Sequence, residues 1–340
     1  MSSHNSPEIY VPAEVYSPDA EGVVYYPRTR PRYWLHGLLL LLTIFTTLIV
    51  GSRLQWEFLN GLPPFFDNNI FPLKWALQER HLLLGIPFSL TLMLILLAHE
   101  MGHYLYCLKY RVAATLPFFI PFPTLFGTLG AFIRIGSALG SRAALFDIGI
   151  AGPTAGFAVA LPVLIFSLGL SHVAPIGAAP PDIQFGYPLI FHWAQQLLSM
   201  SGHAHEVASV PLSRLYLHPV AIAAWVGMFA TSLNLLPGGQ LDGGHIIFSI
   251  SRRAHKTISN STILALIPMA VYFWSGWLVW AILLRLSGTR HPAVPHWPEV
   301  SRSRGVLALL AIIMLALTLA PTPISHGSLF DLLQQWRSSR

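Results

Sequence analysis

Cysteine occurs once in 340 residues, at Cys107, which excludes an intrachain disulfide and a metal site built from thiolates alone. Charge is scarce as well: Asp, Glu, Lys and Arg make up 10% of the chain, against about 25% in soluble domains. With 54% hydrophobic residues and a mean hydropathy of +0.57, the chain has too little polar surface for a large soluble domain. It reads as a multispanning membrane protein whose length is nearly used up by spans and short connections. The formal charge of +6 would suggest nucleic acid in a soluble protein. Here it reflects orientation in the bilayer, and no nucleic-acid partner is expected. No family-length repeat is present. No targeting segment is expected at the start of this sequence. Residues 1–33 carry Glu8, Glu14, Asp19 and Glu21, which a transit peptide avoids, and lack a secretory signal's basic start and cleavage site. They read as a flexible cytoplasmic N-terminal tail that ends in Arg28, Arg30 and Arg32.

What is abundant is hydrocarbon. Residues 34–50 are long enough to span, given a need of about 17–25 residues. A polar connection, 52–81, contains Pro63, Pro64 and Pro72, and a second apolar helix follows from about His81 to Leu108. Residues 116–137 are apolar yet hold five helix breakers between Pro117 and Gly130, so a regular helix is forbidden there. Non-helical backbone at membrane depth must be covered by protein or line a wet cavity. A re-entrant, β-like element is expected, with a short strand within 128–135. Residues 145–170 span again and show a small-residue face, Gly149, Ala151, Gly152, Ala155 and Gly156, suited to close approach of a neighbour. A loop is expected over 172–214, then spans over 216–236 and 305–320, with an interrupted apolar stretch over 258–286. The fold class is therefore all-α and polytopic, with about six or seven transmembrane segments. The membrane domain covers 34–321, and 322–340 is a C-terminal tail.

The second apolar run ends in His99-Glu100-Met101-Gly102-His103. On a helix the two histidines lie at i and i+4 on one face, so their imidazoles can grip one metal ion. Glu100, beside the first of them, is placed to act as a base towards a water at that metal. The competing reading, histidines that merely pack or meet headgroups, must explain two His and a Glu at membrane depth, where ionisable groups cost several kcal/mol unless paired or wetted.

Leaving the 216–236 span, the chain reads Asn234-Leu235-Leu236-Pro237-Gly238-Gly239-Gln240-Leu241-Asp242-Gly243-Gly244-His245. Catalytic zinc takes three protein ligands and keeps one position open. Asp242, a carboxylate on backbone loosened by Pro237, Gly238 and Gly239, is the favoured third ligand; taken alone, Asp-Gly is a turn signal. His245 is its rival.

Together these stretches resemble the site-2 protease family, the zinc intramembrane metalloproteases. The likeness rests on HEMGH at 99–103, GTLGAFIRI at 127–135, DIGIAGPTAGF at 147–157 and NLLPGGQLDGGH at 234–245, and spans most of residues 33–320. The resemblance implies one Zn2+ per chain held by His99, His103 and Asp242, with Glu100 as the catalytic glutamate. It implies that Asn234 steadies the substrate or the oxyanion, and that substrates are membrane proteins with a transmembrane segment. The family's inserted PDZ domain and appended CBS domains are missing from this sequence, which looks like the compact branch that includes plastid homologues. Two other functions compete: a cation transporter, which needs no general base, and an inactive metal-binding scaffold, which would not need every catalytic position filled.

Orientation follows from Lys and Arg. With a cytoplasmic N-terminus and a hairpin turning at Ser275-Gly276, 14 of the 20 lie in cytoplasmic pieces; with 258–286 as one span, 12 do. The positive-inside rule favours the hairpin. That reading puts Trp274, Trp277 and Trp280 at the outer interface and the C-terminal tail outside; since residues 1–33 do not read as a transit peptide, a multi-pass protein of a bacterial plasma membrane is expected.

Overall fold

A backbone in hydrocarbon must satisfy its own hydrogen bonds, and this one does so mostly as helix, at 67% of the described residues. The computed structural model describes residues 32–66, 69, 71–78, 80–137, 139–175, 177, 183–202, 204–287, 301–325 and 327–338. The expected N-terminal tail lies outside them, apart from its last two residues. Among the described residues, three helices are long and apolar enough to cross a membrane: α1 (Tyr33–Leu59), α2 (Ile86–Lys109) and α3 (Arg142–Leu168). They are followed by α4 (Leu189–Ser201), α5 (Pro219–Asn234), α6 (Asp242–Ile250), α7 (Arg252–Tyr272), α8 (Gly276–Ser287), α9 (Arg302–Thr318) and α10 (Leu329–Ser338).

Helix α1 is longer than its apolar run. Residues 52–59, expected in the connection, stay helical because Arg53 and Glu57 pair at i and i+4, with Nε–Oε1 at 2.8 Å. Both are buried, and Glu57 also accepts the N–H groups of Phe65 and Phe66 at 2.8 and 3.1 Å. A charge satisfied in this way need not end a buried helix. The next helix is shorter than expected: His81–Leu84 is a separate turn, and α2 begins at Ile86, with Pro87 in its first turn.

The breaker-rich stretch forms an antiparallel hairpin of β1 (Phe118–Pro121) and β2 (Thr128–Phe132), with Phe118 opposite Phe132 and a bulge between Phe119 and Pro121. It lies along α1. The His36 Nδ1–H donates to Pro117 O at 3.2 Å, and Thr46 Oγ1–H donates to Gly127 O at 2.6 Å. On its other side β2 meets α2. Two further short strands, β3 (His172–Val173) and β4 (Leu215–Tyr216), pair with each other. The expected loop over 172–214 is thus not wholly irregular, since α4 lies within it.

The main core lies between α1, α2, α3 and α5, around Phe88, Leu92, Ile95, Ala224, Trp225 and Met228. After α6 the chain runs through α7, breaks at 273–275 and returns in α8. Leu284, near the end of α8, comes back beside Ser259, near the start of α7; both reach within 3.7 Å of a methyl placed on Gly238. Helices α7 and α8 therefore form an antiparallel pair. Of the three tryptophans expected at the outer interface, Trp277 departs from that expectation. Trp277 is fully buried against Leu266, Ala270 and Ala281, its indole N–H donating to Pro321 O at 2.7 Å, and Trp274 and Trp280 are half-buried. An indole whose donor is satisfied inside the protein has no need of headgroups.

Candidate metal centre

Helix α2 presents His99, Glu100 and His103, all buried, at the depth where α3 crosses it most closely. The small residues of α3 make that approach possible. A methyl on Gly102 of α2 would lie 2.5 Å from Ala151 O, and one on Gly156 of α3 would lie 3.1 Å from His99 Cβ. Gly152 matters more, because a methyl there would sit 2.1 Å from His103 Nε2. The small-residue face read from the sequence thus leaves room for two imidazoles. His103 Nδ1–H donates to the carbonyl of Ile148 at 2.7 Å, which fixes the ring and leaves Nε2 free to act as a ligand.

Asp242 arrives from the far side at the first residue of α6. Its helix also packs on α3, at Gly149, where a methyl would lie 3.4 Å from Asp242 O and 3.1 Å from His245 Cβ. Asp242 Oδ2 lies 3.3 Å from His99 Nε2 and 3.3 Å from His103 Nε2, and the three ligand atoms all fall within 4.8 Å of one another. Ligand atoms of a tetrahedral zinc with bonds of 2.0–2.1 Å sit about 3.4 Å apart. Oδ2 is buried and accepts no hydrogen bond among the described residues. An orphaned carboxylate oxygen facing two imidazole nitrogens is the donor set zinc takes, and these residues fit it. His245 is not in this cluster; its Cβ lies over Gly149 instead.

Asn234, the last residue of α5, holds its side-chain amide nitrogen 3.4 Å from His99 Nε2. The Glu100 carboxylate faces the backbone N–H of Ile133, one residue past β2. All five residues singled out in the sequence therefore converge on one buried place, bounded by α2, α3, α5, α6 and the hairpin.

A family model, described as Peptidase family M50, matches residues 87–275, a stretch that contains all five. The chain belongs to peptidase family M50. That is the site-2 protease family indicated by the motifs. Among curated proteins, the M50 chain is 31% identical over 305 residues to the probable zinc metalloprotease EGY1, chloroplastic, of Arabidopsis thaliana, covering 87% of itself and 54% of that protein. The EGY1 protein of Oryza sativa subsp. japonica is 29% identical over 305 residues, with 87% and 51% covered. EGY2 of Arabidopsis thaliana is 29% identical over 235 residues, with 69% and 41% covered. The chain thus spans about half the length of these relatives. No solved structure gives a significant match.

Sequence reasoning missed several supports of the M50 site. The Ile148 carbonyl leaves no trace in sequence, since every residue has one. Asp147, next to it, carries a clear signal: a lone carboxylate in an apolar span. It accepts Arg304 Nε–H at 2.7 Å and Nη2–H at 2.8 Å, together with the Tyr110 hydroxyl. The i, i+4, i+7 set His255, Ser259 and Thr262 on α7 was equally visible as a polar stripe.

Proposed function

We propose that this chain is an intramembrane zinc endopeptidase that hydrolyses peptide bonds within or near the transmembrane segments of membrane proteins. The observation that carries the reading is the meeting of His99, His103 and an orphaned Asp242 oxygen beside a buried glutamate. Relatives named zinc metalloproteases support it. His99, His103 and Asp242 would hold the ion, which when bound supplies Lewis-acid polarisation of a carbonyl and activation of water at neutral pH. Glu100 takes a proton from the attacking water at its carboxylate and delivers it to the leaving amine nitrogen. The C–O bond forms first and the C–N bond then breaks; one water proton reaches the amine nitrogen through Glu100 and the other passes from the new carboxyl group to the amine, leaving a carboxylate and an ammonium. Asn234 donates its amide N–H to the carbonyl oxygen as that oxygen gains charge. A transporter would use the ligands but has no task for Glu100.

A helical substrate hides its carbonyls in its own hydrogen bonds and must unwind before cleavage. Strand β2, lying against α2 with its following N–H turned to Glu100, supports docking of an unwound segment by strand addition. We place the site near the cytoplasmic face of a cell membrane, with a cytoplasmic N-terminus, on the strength of the Lys and Arg distribution. The test is twofold. Purified Asp242→Ala should lose most bound zinc; full retention, with loss in His245→Ala instead, would overturn the ligand set. A tagged single-span membrane protein should be cut in cells carrying the wild type and left whole with Glu100→Gln.

A further inference from the structure

Asp242 is held by an unusual piece of chain. The residues before it, Pro237-Gly238-Gly239, have no regular structure, and Gly239 adopts φ +57°, in the left-handed region. Alone, such a segment would fluctuate among many conformations. The loop nevertheless forms the bed of the first turn of α6: a methyl on Gly244 would lie 2.4 Å from Gly239 O and 2.7 Å from Gly238 O. Any shift of the loop therefore passes directly to Asp242. Three side chains of α7 fasten the loop. Thr262 Oγ1–H donates to Pro237 O at 2.9 Å, Ser259 Oγ accepts Gly239 N–H at 3.2 Å, and His255 Nε2–H donates to Gly239 O at 2.9 Å. They sit at i, i+4 and i+7, on one helical face. His255 and Ser259 are buried.

We infer that His255, Ser259 and Thr262 are positioning residues for the third metal ligand: through three hydrogen bonds to the Pro237–Gly239 backbone they hold the loop that aims Asp242 at His99 and His103. The inference rests on the ligand set proposed above. Three attachment points from one rigid helix define both the position and the tilt of the loop. Two of them hold the N–H and C=O of the same residue, Gly239. Losing a partner hydrogen-bonded directly to a metal ligand weakens binding by about 10–100-fold, and these contacts act one step further out, so the lower end applies.

The experiment measures zinc affinity of the full-length protein in detergent, by competition against a chromophoric chelator, with thermal unfolding in parallel. Thr262→Val keeps the shape and removes the donor; it should weaken zinc binding about tenfold, and Thr262→Ser should restore it. Ser259→Ala and His255→Ala should weaken it further, with added zinc restoring cleavage of the membrane substrate. Leu266→Ala, in the apolar part of the same helix, should lower the unfolding temperature and leave zinc affinity unchanged. Wild-type affinity in all three loop variants, or an equal loss in Leu266→Ala, would overturn the inference. Asp242→Ala separates the two readings. If it keeps zinc, the ligand set is wrong; if it loses zinc while the α7 variants bind normally, only the positioning role fails.

Discussion

A methyl group at Gly152 would lie 2.1 Å from His103 Nε2, and that ring cannot swing aside without breaking its bond to Ile148 O. Gly152→Ala should therefore drive the imidazole from its ligand position and reduce zinc content sharply, with helical content by circular dichroism unchanged; wild-type zinc content would show that the ring has room to move. Glu100→Gln works on the other half of the chemistry. In the proposed mechanism it removes a base and no ligand, so cleavage should vanish while zinc stays, and zinc loss would reassign Glu100 as structural. Asn234→Ala should be milder, since one lost donor to a developing oxyanion costs about 10²–10³ in rate. At this scale the histidine pair was legible because its i, i+4 geometry is local. Asp242 was legible as a demand: two imidazoles want a third ligand, and few carboxylates lie near apolar runs. Asn234 came through family resemblance alone. The partner of the small-residue face was out of reach, because a glycine stripe announces close approach without saying to what.

Between elements, a few polar contacts tie helix ends together over the apolar core. Arg304 at the start of α9 grips Asp147 in the second turn of α3 with two nitrogens, while Tyr110, just past α2, donates to the same carboxylate. Three helix ends are tied at one point, one residue from the carbonyl that orients His103. Both side chains keep some contact with solvent, at 22% and 12% exposure. Breaking the pair should therefore cost about 2–3 kcal/mol, the low end for a buried hydrogen-bonded ion pair. Arg304→Gln and Asp147→Asn should each lower the unfolding temperature in detergent, and the double variant should be no less stable than the worse single one. Additive losses would mean that the two residues act separately. The interrupted stretch 258–286 was readable as two helices because Ser275-Gly276 sits between aromatics. The extension of α1 was not, because Arg53 and Glu57 look like the start of a loop until each is seen to neutralise the other.

Across the whole molecule, these contacts sort the helix ends into two sets. Tyr110, Asp147 and Arg304 put the end of α2 and the starts of α3 and α9 on one side. Phe58, stacked on His172 and edge-on to His218, puts the end of α1, the end of α3 and the start of α5 on the other. Helix α7 begins next to the metal centre, through His255 and Gly239, and α9 begins on that same side. An even number of crossings must lie between them, which α7 and α8 supply and a single long helix would not. Trp277 donating to Pro321 closes the circuit, joining the α7–α8 turn to the chain leaving α9 on the far side. If the metal-centre side is cytoplasmic, as proposed from the Lys and Arg distribution, the C-terminal helix α10 lies on the opposite side of the membrane. Single cysteines at Ser301 and Ser338, in a Cys107→Ser background, test this with an impermeant thiol reagent on intact cells. Ser338→Cys should be labelled, and Ser301→Cys should react only after the membrane is opened. The reverse pattern would invert the whole protein and move its catalytic centre to the outer face, whereas equal labelling of both would place 301 and 338 on one side and break the crossing count on which the orientation depends.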